Sequence, residues 1–326
     1  MAAGGGTKAI IAALAANLSI AAAKFVAFLI TSSSSMLAES IHSVADSGNQ
    51  VLLLIGGKRA ARARTRLHPF GYGRERYFYA FVVAVVLFTV GALFSIYEGY
   101  HKIVDPHPVE TPIVAFGVLI FAIIAEAFSF RTAIKEANEV RGRQGWVQFI
   151  RHSKSPELPV IVLEDFGALL GLIFALFGVA MAVITGNPLW DGIGTIMIGV
   201  LLAIIAIVLA VETKSLLIGE SAGAETEEKI IQALTGGPEV SRVIHLRTLH
   251  IGPEELLVAA KIAVDHDDTA AEVARGIDAA EQRVRAAVPY ARIIYLEPDL
   301  YRDGQARPAA ARAANEGTNS AADGEG

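Results

Sequence analysis

Within the run Glu39-Ser40-Ile41-His42-Ser43-Val44-Ala45-Asp46, an imidazole and a carboxylate stand four residues apart. On an α-helix that spacing puts both on one face, one turn apart, where they can reach a single cation. Two further carboxylates, Glu164 and Asp165, interrupt an apolar run near residues 158–184. At about 1.5 Å per residue, a second helix entering near residue 36 carries His42 and Asp46 roughly 9–15 Å down. A fifth helix running the other way puts Asp165 roughly 10 Å above the opposite surface, and tilt brings it level with Asp46. The chemistry this permits is coordination of a divalent cation by His42, Asp46 and Asp165. Glu164, Asn17 or water is available as the fourth donor that tetrahedral zinc asks for. Such ligands bind metal only when deprotonated, so metal and protons compete for them. His42, with an ordinary pKa of about 6.5, is the natural exchange residue. The chain has no cysteine, which excludes disulfides, thiolate metal sites and thiol catalysis and turns the choice away from copper(I).

Other ionisable residues fall inside apolar runs, where each costs at least about 2.5–3.5 kcal/mol and needs a partner or a function. Lys24 and Glu39 lie at similar depths on consecutive antiparallel helices and read as an internal salt bridge. Glu126 reads either as a partner of Arg131 or as a proton carrier. Asp191 follows the turn Gly186-Asn187-Pro188 closely enough to cap the helix after it.

The elements that must position these groups are membrane helices. Of the 326 residues, 53% are hydrophobic and 19% charged, outside the range of soluble globular domains. Six runs, near 9–30, 37–57, 78–101, 112–132, 158–184 and 190–212, are long enough to cross a hydrocarbon core, which takes about 20 helical residues. None shows barrel-like alternation, so the fold class is a mainly α membrane protein, a six-transmembrane-helix bundle. Met1 to Thr7 is too short for a basic signal-peptide n-region, and the first run reads as a retained helix. Lys58, Arg59, Arg62, Arg64, Arg66, Arg74 and Arg76 crowd the loop after the second run, and Arg131, Lys135, Arg141, Arg143, Arg151 and Lys154 the loop after the fourth. The positive-inside rule then makes both loops and both termini cytoplasmic, in a multi-pass protein of the cell's inner (plasma) membrane, and the arginines contact anionic lipid. A formal net charge of −5 gives no field for nucleic acid.

Beyond Glu212 the pattern changes. Residues 225–235 suit a short helix, Val243–Ile251 and Leu256–Asp265 are β-prone and joined by Gly252-Pro253-Glu254-Glu255, Thr269–Val288 has helical spacing, and Ala291–Leu296 returns to strand. The order α-β-β-α-β reads as a cytoplasmic α+β ferredoxin-like domain. The layout expected is a short N-terminus at 1–8, the transmembrane domain at 9–212, the ferredoxin-like domain at 213–302 and a disordered tail at 303–326.

From Lys24 to Gln50, and again from His68 to Gly99, the sequence resembles the cation diffusion facilitator family. The carrying residues are Ser34-Ser35-Met36-Leu37-Ala38-Glu39-Ser40-Ile41-His42-Ser43-Val44-Ala45-Asp46-Ser47-Gly48-Asn49-Gln50, His68-Pro69-Phe70-Gly71-Tyr72-Gly73-Arg74, Leu163-Glu164-Asp165, Leu246-Arg247-Thr248 and Gly252-Pro253. The resemblance implies a homodimer that exchanges a divalent metal for protons, with His42, Asp46 and Asp165 as ligands. It departs from the family pattern at Ile161, where a further ligand usually stands four residues before the aspartate, and Glu164 is the candidate substitute. Thr65 and Tyr72 occupy positions where zinc-regulated relatives bind metal in the basic loop, and Ile244, Ala260, Tyr295 and Glu297 those of a bridging site in the C-terminal domain; His245, His250 and His266 remain there.

The expected function is therefore divalent metal efflux, zinc first, by metal/proton antiport with alternating access, with no prosthetic group. Manganese, iron or cobalt export, or a role as a non-transporting metal-sensing dimer partner, is the alternative. An enzyme is not expected: there is no HExxH motif and no Ser or Cys nucleophile in context.

Overall fold

The computed structural model describes residues 7–31, 34–106 and 112–302, with the side chains of 31–42, 45 and 46 outside that description. The chain divides into two units, Met1–Ile218 and Gly219–Gly326. Residues 1–6 of the expected N-terminus and the expected tail at 303–326 lie outside the described residues.

The first unit is a helical bundle. Its helices are α1 (Thr7–Thr31), α2 (Ser34–Ala60), α3 (Glu75–Val86), α4 (Phe94–Val104), α5 (Pro112–Arg141), a short α6 (Trp146–His152), α7 (Glu157–Thr185) and α8 (Leu189–Ile218). A π-helical stretch, Leu87–Leu93, joins α3 to α4 within one continuous crossing, Glu75–Val104. Among the described residues, five stretches are long and apolar enough to cross a membrane: Thr7–Ile30, Glu75–Val104, Pro112–Arg141, Glu157–Thr185 and Leu189–Ile218. The remaining long helix, α2, has 27 residues, about 40 Å, and is less apolar because it carries Glu39, His42 and Asp46; it completes a bundle of six. Ile30, Ile113, Ile124, Phe128 and Ile184 are largely exposed around the outside, the solvent relation of helices built for lipid. The interior combines large apolar side chains such as Leu53, Ile161 and Leu209 with small and polar ones, as on α5, where Ala122, Glu126, Ser129, Ala133 and Ala137 are buried at helical spacing.

Glycines set how closely these helices approach. A Cβ on Gly99 of α4 would sit 2.8 Å from the backbone nitrogen of Ile196 on α8, and one on Gly178 of α7 would sit 2.9 Å from the carbonyl oxygen of Trp190. Backbone this close to backbone leaves no room for a side chain, which is how apolar helices gain packing energy inside lipid. Gly186, at φ 66°, ends α7 in the left-handed conformation, and Asn187 then accepts a hydrogen bond from the Leu189 N–H at 3.1 Å. Asn187, not Asp191, therefore caps α8. Asp191 lies inside the first turn, where it forms an ion pair with Lys102 of α4 at 2.9 Å.

Two features of the loops differ from the hydropathy reading. After the fourth run the helix continues to Arg141, and the basic segment then folds α6, with the Arg141 guanidinium stacked on Trp146 at 4.4 Å. The loop before α3 is stapled by neutral hydrogen bonds: Thr65 Oγ1 and Tyr72 OH are 3.2 Å apart, and the His68 N–H donates to Thr65 Oγ1 at 3.1 Å.

The second unit contains α9 (Ala224–Leu234), β1 (Arg242–Gly252), β2 (Glu255–Ala263), α10 (Ala270–Ala287) and β3 (Ala291–Asp299). The sheet order is β1-β2-β3, with β1 antiparallel and β3 parallel to β2. Leu256, Val258, Ala260 and Ile262 alternate on β2 and bury one face against Ile230 and Leu234 of α9 and Ala280 and Val284 of α10. Both helices thus cover one face of the sheet, the ferredoxin-like α+β arrangement. Thr269 begins α10 with a capping box to Glu272. Thr248 on β1 ties the unit together, accepting from the Ala222 N–H at 2.9 Å and donating to Glu227 Oε1 at 3.0 Å.

Candidate cation site

The site is assembled where three helices of the bundle meet around the first half of α7. Glu164 and Asp165 are sequence neighbours about 10 Å beyond the helix start at Glu157, and both are buried, at 8% and 2% exposure. Adjacent residues on a helix point about 100° apart, and the two carboxylates accordingly meet different helices. Asp165 Oδ2 accepts a hydrogen bond from Ser129 Oγ of α5 at 2.7 Å. Glu164 Oε1 accepts one from Asn49 Nδ2 of α2 at 2.9 Å. The Asn49–Glu164 contact fixes the level of α2 against α7. The backbone of Asp46 lies about one helical turn before that contact on α2, and Asp165 is the next position after it on α7.

Around this centre runs a polar seam between α1, α2 and α5. Asn17 Nδ2 donates to Gln50 Oε1 at 3.3 Å, and Lys24 Nζ donates to Ser43 Oγ at 3.0 Å. Glu136 of α5 accepts from the Ala9 N–H at 3.2 Å and so caps the start of α1 from another helix. Arg76 and Glu157 form an ion pair at 3.3 Å beside the first turn of α7. Buried acceptors and donors at this density are costly in lipid unless they are matched or used.

The side chains of His42 and Asp46, and that of Glu39, lie outside the described residues. Among the described residues no group of three or more His, Asp or Glu converges. Asn17, one candidate for the fourth donor, is engaged with Gln50. Glu126 is buried while Arg131, five residues on, is exposed on a different face of α5. Ile161, one turn before Asp165, is fully buried and aliphatic. In the second unit, His245 and His266 are exposed, and His250 is buried with its ring stacked on Tyr290.

Sequence reasoning missed Asn49, Ser129 and Glu136 as parts of the polar interior. Asn49 stands in the resemblance-bearing run, and the signal lay in its place three residues after Asp46, on the same side of the helix. Ser129 and Glu136 share with Glu126 a spacing of three and seven residues, the signature of one buried face.

A lipid-facing bundle with neighbouring carboxylates buried against uncharged donors is a polytopic membrane protein built to handle cations. The cation efflux transmembrane domain matches residues 10–218, and the chain belongs to the cation efflux family, whose members are transporters and not enzymes. The mitochondrial proton-coupled zinc antiporter SLC30A9 of Mus musculus is 30% identical over 244 residues, 74% of this chain and 43% of that protein. Metal tolerance protein C4 of Arabidopsis thaliana is 30% identical over 257 residues, 78% of this chain and 56% of that protein. The chain thus spans about half the length of these two relatives. Magnetosome protein MamB of Magnetospira sp. strain QH-2 is 24% identical over 82% of this chain and 86% of that one. A solved structure of a MamM C-terminal domain variant covers 24% of this chain and 93% of that chain, at 23% identity and a TM-score of 0.23.

Proposed function

We propose that this cation efflux transporter exports zinc in exchange for protons by alternating access, binding the ion through His42, Asp46 and Asp165 with Glu164 alongside. The observation that carries the reading is Asp165. Its carboxylate is 2% exposed and is held by the neutral hydroxyl of Ser129, with no ion pair among the described residues. A carboxylate kept this way inside a membrane is suited to take up and release either a metal ion or a proton. The mouse relative, a proton-coupled zinc antiporter, supports both the metal and the exchange. The layout that goes with this reading is a transmembrane domain over residues 9–212, a cytoplasmic ferredoxin-like domain over 213–302, cytoplasmic termini, an inner-membrane location and a homodimer.

Protein reconstituted into liposomes takes up zinc when a pH gradient is imposed, and Asp46→Ala and Asp165→Asn each abolish the flux. Undiminished flux in either variant removes that residue from the mechanism. A panel of manganese, iron and cobalt against zinc in the same vesicles decides the metal. Absence of any flux in the wild-type protein favours the non-transporting partner role, for which the buried Ile161 is the motive.

A further inference from the structure

Two consecutive amides on α2 are each half satisfied. Gln50, fully buried, accepts from Asn17 through Oε1, and its Nε2 has no hydrogen-bond partner among the described residues. Asn49, 2% exposed, donates from Nδ2 to Glu164 Oε1, and its Oδ1 has no partner among the described residues. The second case bears on a cation, because the unmatched atom is an acceptor. Its orientation is set by that hydrogen bond: Nδ2 faces Glu164 Oε1, which turns the carbonyl away from the contact. Buried side-chain carbonyls are almost always matched by a donor or an ion, and an orphan asks for an explanation.

We propose that Asn49 Oδ1 is itself a ligand of the transported divalent cation, and that Glu164 is a positioning residue that holds the Asn49 amide in the ligating orientation. This inference rests on the cation site proposed above and refines it. Asn49 lies three residues beyond Asp46 on α2 and is bonded to the residue before Asp165 on α7, so its side chain lies between the two ligand-bearing stretches. The set becomes one imidazole, two carboxylates and one neutral oxygen. It needs nothing from position 161, where Ile161 has no donor atom. Three oxygens and one nitrogen favour zinc, cobalt or manganese over soft ions such as cadmium.

The test uses the full chain purified in detergent and titrated with cobalt(II), read by its visible absorption, with zinc in competition. Asn49→Leu combined with Glu164→Leu removes carbonyl and anchor together as an apolar pair; cobalt and zinc affinity falls about tenfold or more and the cobalt bands change. Glu164→Gln, and the exchange of Asn49→Asp with Glu164→Gln, keep an oxygen from position 49 beside the ion and retain affinity and bands. Wild-type affinity and spectrum in the leucine pair overturn the proposal; so does loss of binding in Glu164→Gln with binding intact in Asn49→Ser, which assigns the ligand to Glu164. If the leucine pair fails to fold, Asn49→Ser decides alone: it keeps a donor for Glu164 without the carbonyl, and unchanged binding overturns the assignment. Asp165→Asn runs in parallel. If it too binds normally, the cation site itself is misplaced; if it alone loses binding, only the role of Asn49 falls.

Discussion

Ser129 Oγ donates to Asp165 Oδ2 at 2.7 Å, between two buried side chains on α5 and α7. The bond commits one carboxylate oxygen and leaves the other for a second partner. Hydrogen bonds to charged groups are worth about 1.5–3 kcal/mol, and a ligand loses affinity when its orienting partner goes. Ser129→Ala therefore raises the zinc concentration needed for half-maximal uptake about tenfold while leaving the protein folded. Uptake curves that superimpose on the wild type show that Ser129 has no part in orienting the site.

Close backbone contact between α4 and α8 makes its glycines intolerant. A Cβ at Gly99 meets Ile196 Cγ1 at 2.6 Å and its nitrogen at 2.8 Å, and one at Gly199 meets the nitrogen of Ile96 at 2.8 Å. Gly99→Val and Gly199→Val force the helices apart, with an expected loss of about 1–3 kcal/mol. Gly117 has nothing within 4 Å of its Cβ position, and Gly117→Ala leaves the melting temperature unchanged or raises it. Thermal unfolding in detergent distinguishes the two groups; equal melting temperatures for all three variants contradict the packing described.

In the second unit, Lys261 bridges Glu297 at 2.9 Å and Asp299 at 3.2 Å, across the parallel β2–β3 pair. Its pKa is raised above 10.5, by the hydrogen bonds to Glu297 and then Asp299, and that of Asp299 is lowered below 3.8, first by the hydrogen bond from Lys261. The stabilisation from Asp299 is thus present above 3.8 and lost as pH falls through its lower folded value. That from Lys261 is present below 10.5 and lost as pH rises through its raised folded value. The difference in melting temperature between wild type and Lys261→Met is flat from about pH 5 to about pH 10 and shrinks outside that window. A difference that grows in acid contradicts this pairing.

The basic loop is held by Thr65, His68 and Tyr72 through hydrogen bonds that need no ion. Stripping metal with EDTA leaves the rate of tryptic cleavage at Arg64 and Arg66 unchanged, whereas Tyr72→Phe, which removes the bond to Thr65, speeds it. Cleavage that accelerates with EDTA in the wild-type protein shows that a metal ion orders the loop.

The fold is largely legible in the sequence because lipid imposes a simple rule. A crossing helix must satisfy its own backbone and show apolar side chains outward, so five of the long helices stand out by hydropathy alone. The α-β-β-α-β order is legible for a similar reason: β2 alternates Leu256, Val258, Ala260 and Ile262 toward its helices, while Ile277, Ala280 and Val284 keep a helical period. The α6 helix escapes because seven residues with Arg151 and His152 carry little periodicity inside a charged loop.

By itself the sequence determined which residues are too polar for their surroundings: Glu126, Glu164 and Asp165 interrupt runs that lipid would otherwise keep apolar, and burial of all three follows from that cost. Only the tertiary structure decided which partner each one meets. Neighbouring positions on α7 point 100° apart, about 100° being the turn per residue of any α-helix, and which helix stands in each direction depends on how the whole bundle packs. That packing gives Asp165 the hydroxyl of Ser129 and Glu164 the amide of Asn49, residues 36 and 115 positions away in the chain. No local pattern records contacts of that range, because they depend on which helices of the bundle come to lie side by side.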